Sequence, residues 1–205
     1  MNGDILFCVV VGYLCGSIPF GLILTKMAGG GDIRTIGSGN IGATNVLRTG
    51  RKSLAAATLI LDAAKGAFSI FIVSLFLSKA VLADAYLGLV GVSAVIGHCY
   101  PVWLKFLGGR GVATGLAVIT MLSPISGILF IATWILIAYI MKYSSLAALT
   151  AFASSSISAL ILENNEISIA IIFITLLAFF RHTENIKRLL SGEESRISTR
   201  PKSKK

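Results

Sequence analysis

Charge is what this 205-residue chain has least of. Asp, Glu, Lys and Arg make up 13% of it, against about 25% in a soluble domain. Hydrophobic residues make up 55% and the mean hydropathy is +0.86. That excludes a soluble enzyme and a disordered chain. Cysteine is scarce too. Cys8, Cys15 and Cys99 lie in or beside apolar runs and form no Cys-x-x-Cys pair. A secreted disulfide scaffold is excluded, and only His98 stands near a cysteine, which is no zinc spacing. Acidic residues are outnumbered, nine to eighteen, for a net charge of +9. The cations sit between and after the apolar runs and form no continuous basic face, which argues against nucleic acid as a partner. A chain of this make-up has the bilayer as its solvent.

What the chain does have is long apolar runs, and about 20 such residues cross a hydrocarbon core of roughly 30 Å. Ile5–Thr25, Leu54–Leu77 and Leu82–Leu104 are three of them. Val112–Met141 is a longer run, interrupted at Ser123-Pro124 and Ser126-Gly127. Leu146–Phe180 is another, interrupted at Glu163-Asn164-Asn165-Glu166. Two carboxylates at mid-bilayer are costly, so the second interruption reads as a loop. Breaking both runs predicts seven spans; breaking neither leaves five as the fallback. With seven spans and the N-terminus outside, sixteen Lys and Arg face the cytoplasm. Lys79 alone faces out and Lys65 lies within a span, so the positive-inside rule holds. The first run does not read as a cleaved signal peptide, because Asp4 replaces a basic start and Thr25-Lys26 follows. The expectation is an all-α integral membrane protein with a cytoplasmic C-terminus. It has one domain over residues 1–190 and a basic cytoplasmic tail over 191–205.

Three cytoplasmic segments carry the chemistry. The first reads Gly37-Ser38-Gly39-Asn40-Ile41-Gly42-Ala43-Thr44-Asn45 and is followed by Arg48. Glycine lets backbone N–H groups approach an anion, Ser38 adds a hydroxyl, and a helix opening at Gly42 would bring Arg48 within reach. The second, Gly108-Gly109-Arg110-Gly111-Val112-Ala113-Thr114, looks like a facing cradle and lacks the Lys-Ser/Thr of a P-loop. The third places His182 and Asn185 three residues apart, on one helical face. Asp62 and Lys65 read as a mutual pair inside the second long run, and His98 as a hydrogen-bonding neighbour of the site.

This ordered set resembles the bacterial acyl-phosphate:glycerol-3-phosphate acyltransferase family, called PlsY. The matching stretches are Gly16-Ser17-Ile18-Pro19-Phe20, Gly37–Asn45 with Arg48, Gly97-His98 with Pro101-Val102, Gly109–Thr114, and Arg181-His182 with Asn185. The resemblance implies seven spans in the bacterial cytoplasmic membrane and a site facing the cytoplasm. It implies transfer of a fatty acyl group from acyl phosphate to the sn-1 hydroxyl of glycerol 3-phosphate. The products would be lysophosphatidic acid and phosphate, with no acyl-CoA, no metal and no cofactor. It implies phosphate contacts from Ser38 and Arg48, and catalytic roles for His182 and Asn185. Substrate binding falls to Gly37, Gly39, Asn40, Gly42, Thr44 and Asn45, and to Gly108, Gly109, Arg110 and Gly111. Arg110 stands where the family usually has Lys, which keeps the charge and changes its geometry. Two proton acceptors stay open, His182 and a substrate phosphate. The alternatives from other classes are a membrane carrier of phosphorylated anions and a scaffold working through its basic tail.

Overall fold

The computed structural model describes residues 2–77 and 84–197. Lys79, the start of the third expected span at Leu82, and tail residues 198–205 lie outside the described residues. The described chain holds ten α-helices and two short 3-10 turns. They are α1 (Asn2–Gly16), α2 (Phe20–Met27), α3 (Ala43–Leu47), α4 (Lys52–Phe76) and α5 (Asp84–Cys99). Then come α6 (Val112–Leu122), α7 (Pro124–Met141), α8 (Ser144–Leu162), α9 (Asn165–Arg181) and α10 (Thr183–Leu190). Five stretches are long and apolar enough to cross a membrane: Gly3–Met27, Lys52–Phe76, Asp84–Leu104, Pro124–Met141 and Ser144–Leu162. The pair α9 and α10, bent by 61°, makes a sixth. The apolar α6 has 11 residues, about 16 Å at 1.5 Å per residue, roughly half a hydrocarbon core.

Each interruption has a local cause. Ser123 is extended and its side chain accepts from the N–H of Ser126, while Pro124 opens α7 at a position that needs no donor. The break is therefore at Ser123, and Ser126-Gly127 belongs to the first turn of α7. The second break is Glu163-Asn164. Asn164 caps α9 by accepting from Ile167, and Asn165 and Glu166 fall inside that helix. A third interruption was not foreseen: Ser17–Pro19 splits the first run into α1 and α2. Pro19 has no N–H, and the buried Lys65 ammonium donates to the carbonyl of Ile18 at 2.9 Å.

Packing follows the physics of helices in lipid, where close backbone approach replaces water expulsion. α1 lies so tightly on α5 that a Cβ on Gly16 would overlap the carbonyl oxygen of Ala94. Phe130 of α7 and Phe152 of α8 meet edge to face at 4.9 Å in the core beside Ile171 and Ile174. The outward faces carry exposed Leu, Ile and Phe, as a lipid-facing shell does.

Candidate active site

A cavity of about 420 Å³ opens at one end of the bundle. The 28–51 segment closes one side, and a single side chain organises it. Asn45 is buried, and its amide nitrogen donates to the carbonyls of Ile33, Ile36 and Asn40 at 2.8–3.0 Å. Its carbonyl accepts from the N–H of Ser38 at 2.9 Å. Asn45 thus spends its side chain holding Ser38 and Asn40 at the cavity wall. Thr44 and Arg48 line the same wall, and Thr44 Oγ1 is 3.3 Å from Ser144 Oγ at the start of α8.

Arg110 enters from the turn before α6, and Val112 and Ala113 at the helix start also face the cavity. The α9–α10 bend supplies His182 and Asn185, both buried. His182 Nδ1 lies 2.7 Å from the carbonyl of Ala178, so the neutral ring donates there. Its Nε2 makes no hydrogen bond among the described residues and keeps its lone pair. Burial lowers the pKa of Arg48, and it lowers that of Arg110 to about 10, with repulsion from Arg188 contributing to both. Glu194 partly offsets this field. It accepts from Asn185 Nδ2 at 3.0 Å and from Arg188 Nε at 2.9 Å.

One feature marks the cavity as a receptor. Among the described residues, three buried side-chain atoms have no hydrogen-bond partner: Asn40 Oδ1, Ser145 Oγ and Asn185 Oδ1. All three residues line this cavity. An unpaired buried polar group costs about 1–3 kcal/mol, so their convergence points to a polar ligand.

Nine of the expected site residues line it together: Ser38, Asn40, Gly42, Thr44, Asn45, Arg48, Arg110, His182 and Asn185. Gly37, Gly39, Gly108, Gly109 and Gly111 do not. The N–H groups of Gly39, Gly108 and Gly109 are spent on the carbonyls of Ile36, Cys99 and His98. Those three N–H groups are engaged within the turns. Gly37 and Gly111 adopt left-handed conformations that aim Ser38 and open α6.

Sequence reasoning gave other wall residues only a supporting role, or none. Asp62 and His98 line the cavity in addition to their structural bonds. Asp62 pairs with Lys65 at 2.9 Å, and His98 Nδ1 is 3.2 Å from Thr114 Oγ1. Ser144 and Ser145 had no signal beyond opening a span. Glu194 had one, since Glu193-Glu194 is acidic within a basic stretch. Residues 192–197, within the stretch expected as a solvated tail, fold onto the rim. Ser195 accepts from Arg48, and the N–H of Ile197 donates to the Lys142 carbonyl at 2.7 Å.

Comparison with known proteins bears on the chemistry. A family model described as glycerol-3-phosphate acyltransferase matches residues 6–192. A glycerol-3-phosphate acyltransferase of Sinorhizobium medicae is 52% identical over 94% of this chain and 92% of the relative. One of Rhodospirillum rubrum is 50% identical over 95% and 92%. Among solved structures, PlsY, an integral membrane glycerol 3-phosphate acyltransferase in its glycerol 3-phosphate form, superposes with a TM-score of 0.87. It is 38% identical and the match covers 95% of this chain and 96% of that one. Its lysophosphatidic acid form gives a TM-score of 0.85 at 37% identity.

Proposed function

The chain belongs to the glycerol-3-phosphate acyltransferase family, PlsY, and we propose that it moves a fatty acyl group from acyl phosphate to the sn-1 hydroxyl of glycerol 3-phosphate. Lysophosphatidic acid and inorganic phosphate leave. In this reading the enzyme is a single transmembrane domain of seven spans, N-terminus outside, with its site open to the cytoplasm of a bacterial inner membrane. The carrier and scaffold alternatives yield to the family, whose members are acyltransferases by name.

The observation that carries the reading is the cavity's two-sided wall. Arg48, Arg110, Ser38 and the unpartnered atoms of Asn40, Ser145 and Asn185 form a polar side fit for phosphate oxygens. Leu59, Leu116, Ile131 and Ile135 form an apolar side, and three of these are also exposed on the bundle's outer face. A fatty chain reaches the polar side from lipid across such a wall. Glycerol 3-phosphate enters from water.

Acyl phosphate is a mixed anhydride with a good leaving group, so no covalent enzyme intermediate is required. The protein's task is to bring two anions together in a dry site, which their mutual repulsion otherwise forbids. The glycerol oxygen bonds to the acyl carbon, and the bond from that carbon to the phosphate oxygen breaks. Phosphate carries away the bonding pair, held by the guanidinium groups. The hydroxyl proton passes to Nε2 of His182 or to a substrate phosphate oxygen. Asn185 Oδ1 accepts from a glycerol hydroxyl.

The test uses protein in lipid nanodiscs with glycerol 3-phosphate and, in parallel, palmitoyl phosphate, palmitoyl-CoA or palmitoyl-acyl carrier protein. Lysophosphatidic acid and phosphate are expected with palmitoyl phosphate alone. Product from the thioesters and none from acyl phosphate refutes the donor assignment.

A further inference from the structure

Arg181 does not line the cavity, yet its guanidinium is committed to it indirectly. Nε donates to the carbonyl of Gly109 and Nη2 to the carbonyl of Gly108, each at 3.1 Å. Those are the two peptide groups immediately before Arg110. The amides of the same two glycines donate to Cys99 and His98 at the end of α5, at 3.2 and 3.0 Å. The turn is thereby held from both sides, by α5 through its N–H groups and by α9 through its carbonyls. The turn lies close against α5, where a Cβ on Gly109 would overlap His98 Nε2. The other face of the guanidinium lies over the Tyr100 ring at 4.9 Å, which fixes its plane.

We propose that Arg181 is a positioning residue: its fork on the Gly108 and Gly109 carbonyls aims Arg110 into the cavity and sets it relative to the adjoining His182. The proposal rests on the reading of Arg110 as a phosphate-binding group. Only arginine meets the demand, since two successive carbonyls need two donors in a fixed plane, and an ammonium is one point charge on a flexible stem. The placement also opposes simple electrostatics. Arg181 repels Arg110, and neither forms an ion pair among the described residues. The same short stretch thus carries two roles. Residue 181 holds the turn and residue 182 faces the substrates, so the spacing between the phosphate-binding arginine and the imidazole is set by one helix end.

The test is a double-mutant cycle on the full chain in nanodiscs, read by calorimetric binding of glycerol 3-phosphate. Arg181→Lys is expected to weaken binding about tenfold, and to add less than about twofold in an Arg110→Ala background. In turnover its loss falls on KM for glycerol 3-phosphate more than on kcat. Near-normal binding by Arg181→Lys overturns the proposal, and so do losses that multiply in the double variant. If Arg181→Lys does not fold, Tyr100→Leu loosens the same guanidinium and carries the cycle. Failure of both to fold makes Arg181 a determinant of the fold and also overturns it. Wild-type protein that binds glycerol 3-phosphate and ignores acyl phosphate refutes the donor assignment alone.

Discussion

Two buried polar regions sit at different places in this bundle, and they are opposites. Around the α6–α7 break, Ser123 donates to Glu163 at 2.6 Å and Ser158 donates to Ser126 at 2.7 Å. Ser155 donates to the carbonyl of Ser126 at 3.1 Å. Every hydroxyl there has a partner. In the cavity, Asn40, Ser145 and Asn185 each keep one atom without one. The low dielectric is the same in kind, so the same rule prices both. Satisfied hydroxyls are glue that fastens α6, α7 and α8. Unsatisfied ones are a cost that folding has tolerated, and binding a polar ligand is what recovers it. Location alone does not separate a structural polar cluster from a site; the state of its hydrogen bonds does.

The hardest test of that contrast is to remove charge from the cavity. Arg48→Ala should lower kcat/KM by roughly a hundred- to a thousandfold, through loss of a partner for phosphate in a dry site. Its melting temperature should stay close to wild type, because no carboxylate is left unpaired. A rate near wild type removes Arg48 from the phosphate set.

A matched pair of serines sharpens the comparison at smaller magnitude. Ser126→Ala should cost about 1–2 kcal/mol of stability and leave turnover intact, since it removes the α7 acceptor of Ser158 and leaves only the Ser155 carbonyl in the same helix. Ser145→Ala should do the reverse, weakening substrate binding about fivefold with no loss of stability. Melting curves and KM values on both variants decide. Equal effects on stability would erase the distinction between the two regions.

Much of the site was legible before the fold. Ser38, Arg48, Arg110, His182 and Asn185 announced themselves as polar groups at the ends of apolar runs, where connection alone does not require them. The glycine turns were legible as turns. The N–H groups of Gly39, Gly108 and Gly109 are engaged by Ile36, Cys99 and His98, and nothing in the local pattern distinguishes an amide spent on a carbonyl from one offered to an anion. The break at Ser17–Pro19 was hidden because Lys65, distant in sequence, supplies the donor that makes it tolerable. Ser145 stands just before the apolar run from Leu146 and belongs to no motif.

By itself, the order of residues determined the solvent, the helical class, the stretches able to span and the polar segments between them. These follow from hydropathy and local backbone preference, which act over a few turns of chain. Only the tertiary structure decided which amides remained available, which buried atoms were left without partners, and that Arg181 grips the turn before Arg110. Hydrogen-bond satisfaction is a sum over neighbours from distant parts of the chain, and that sum exists only once the helices have met.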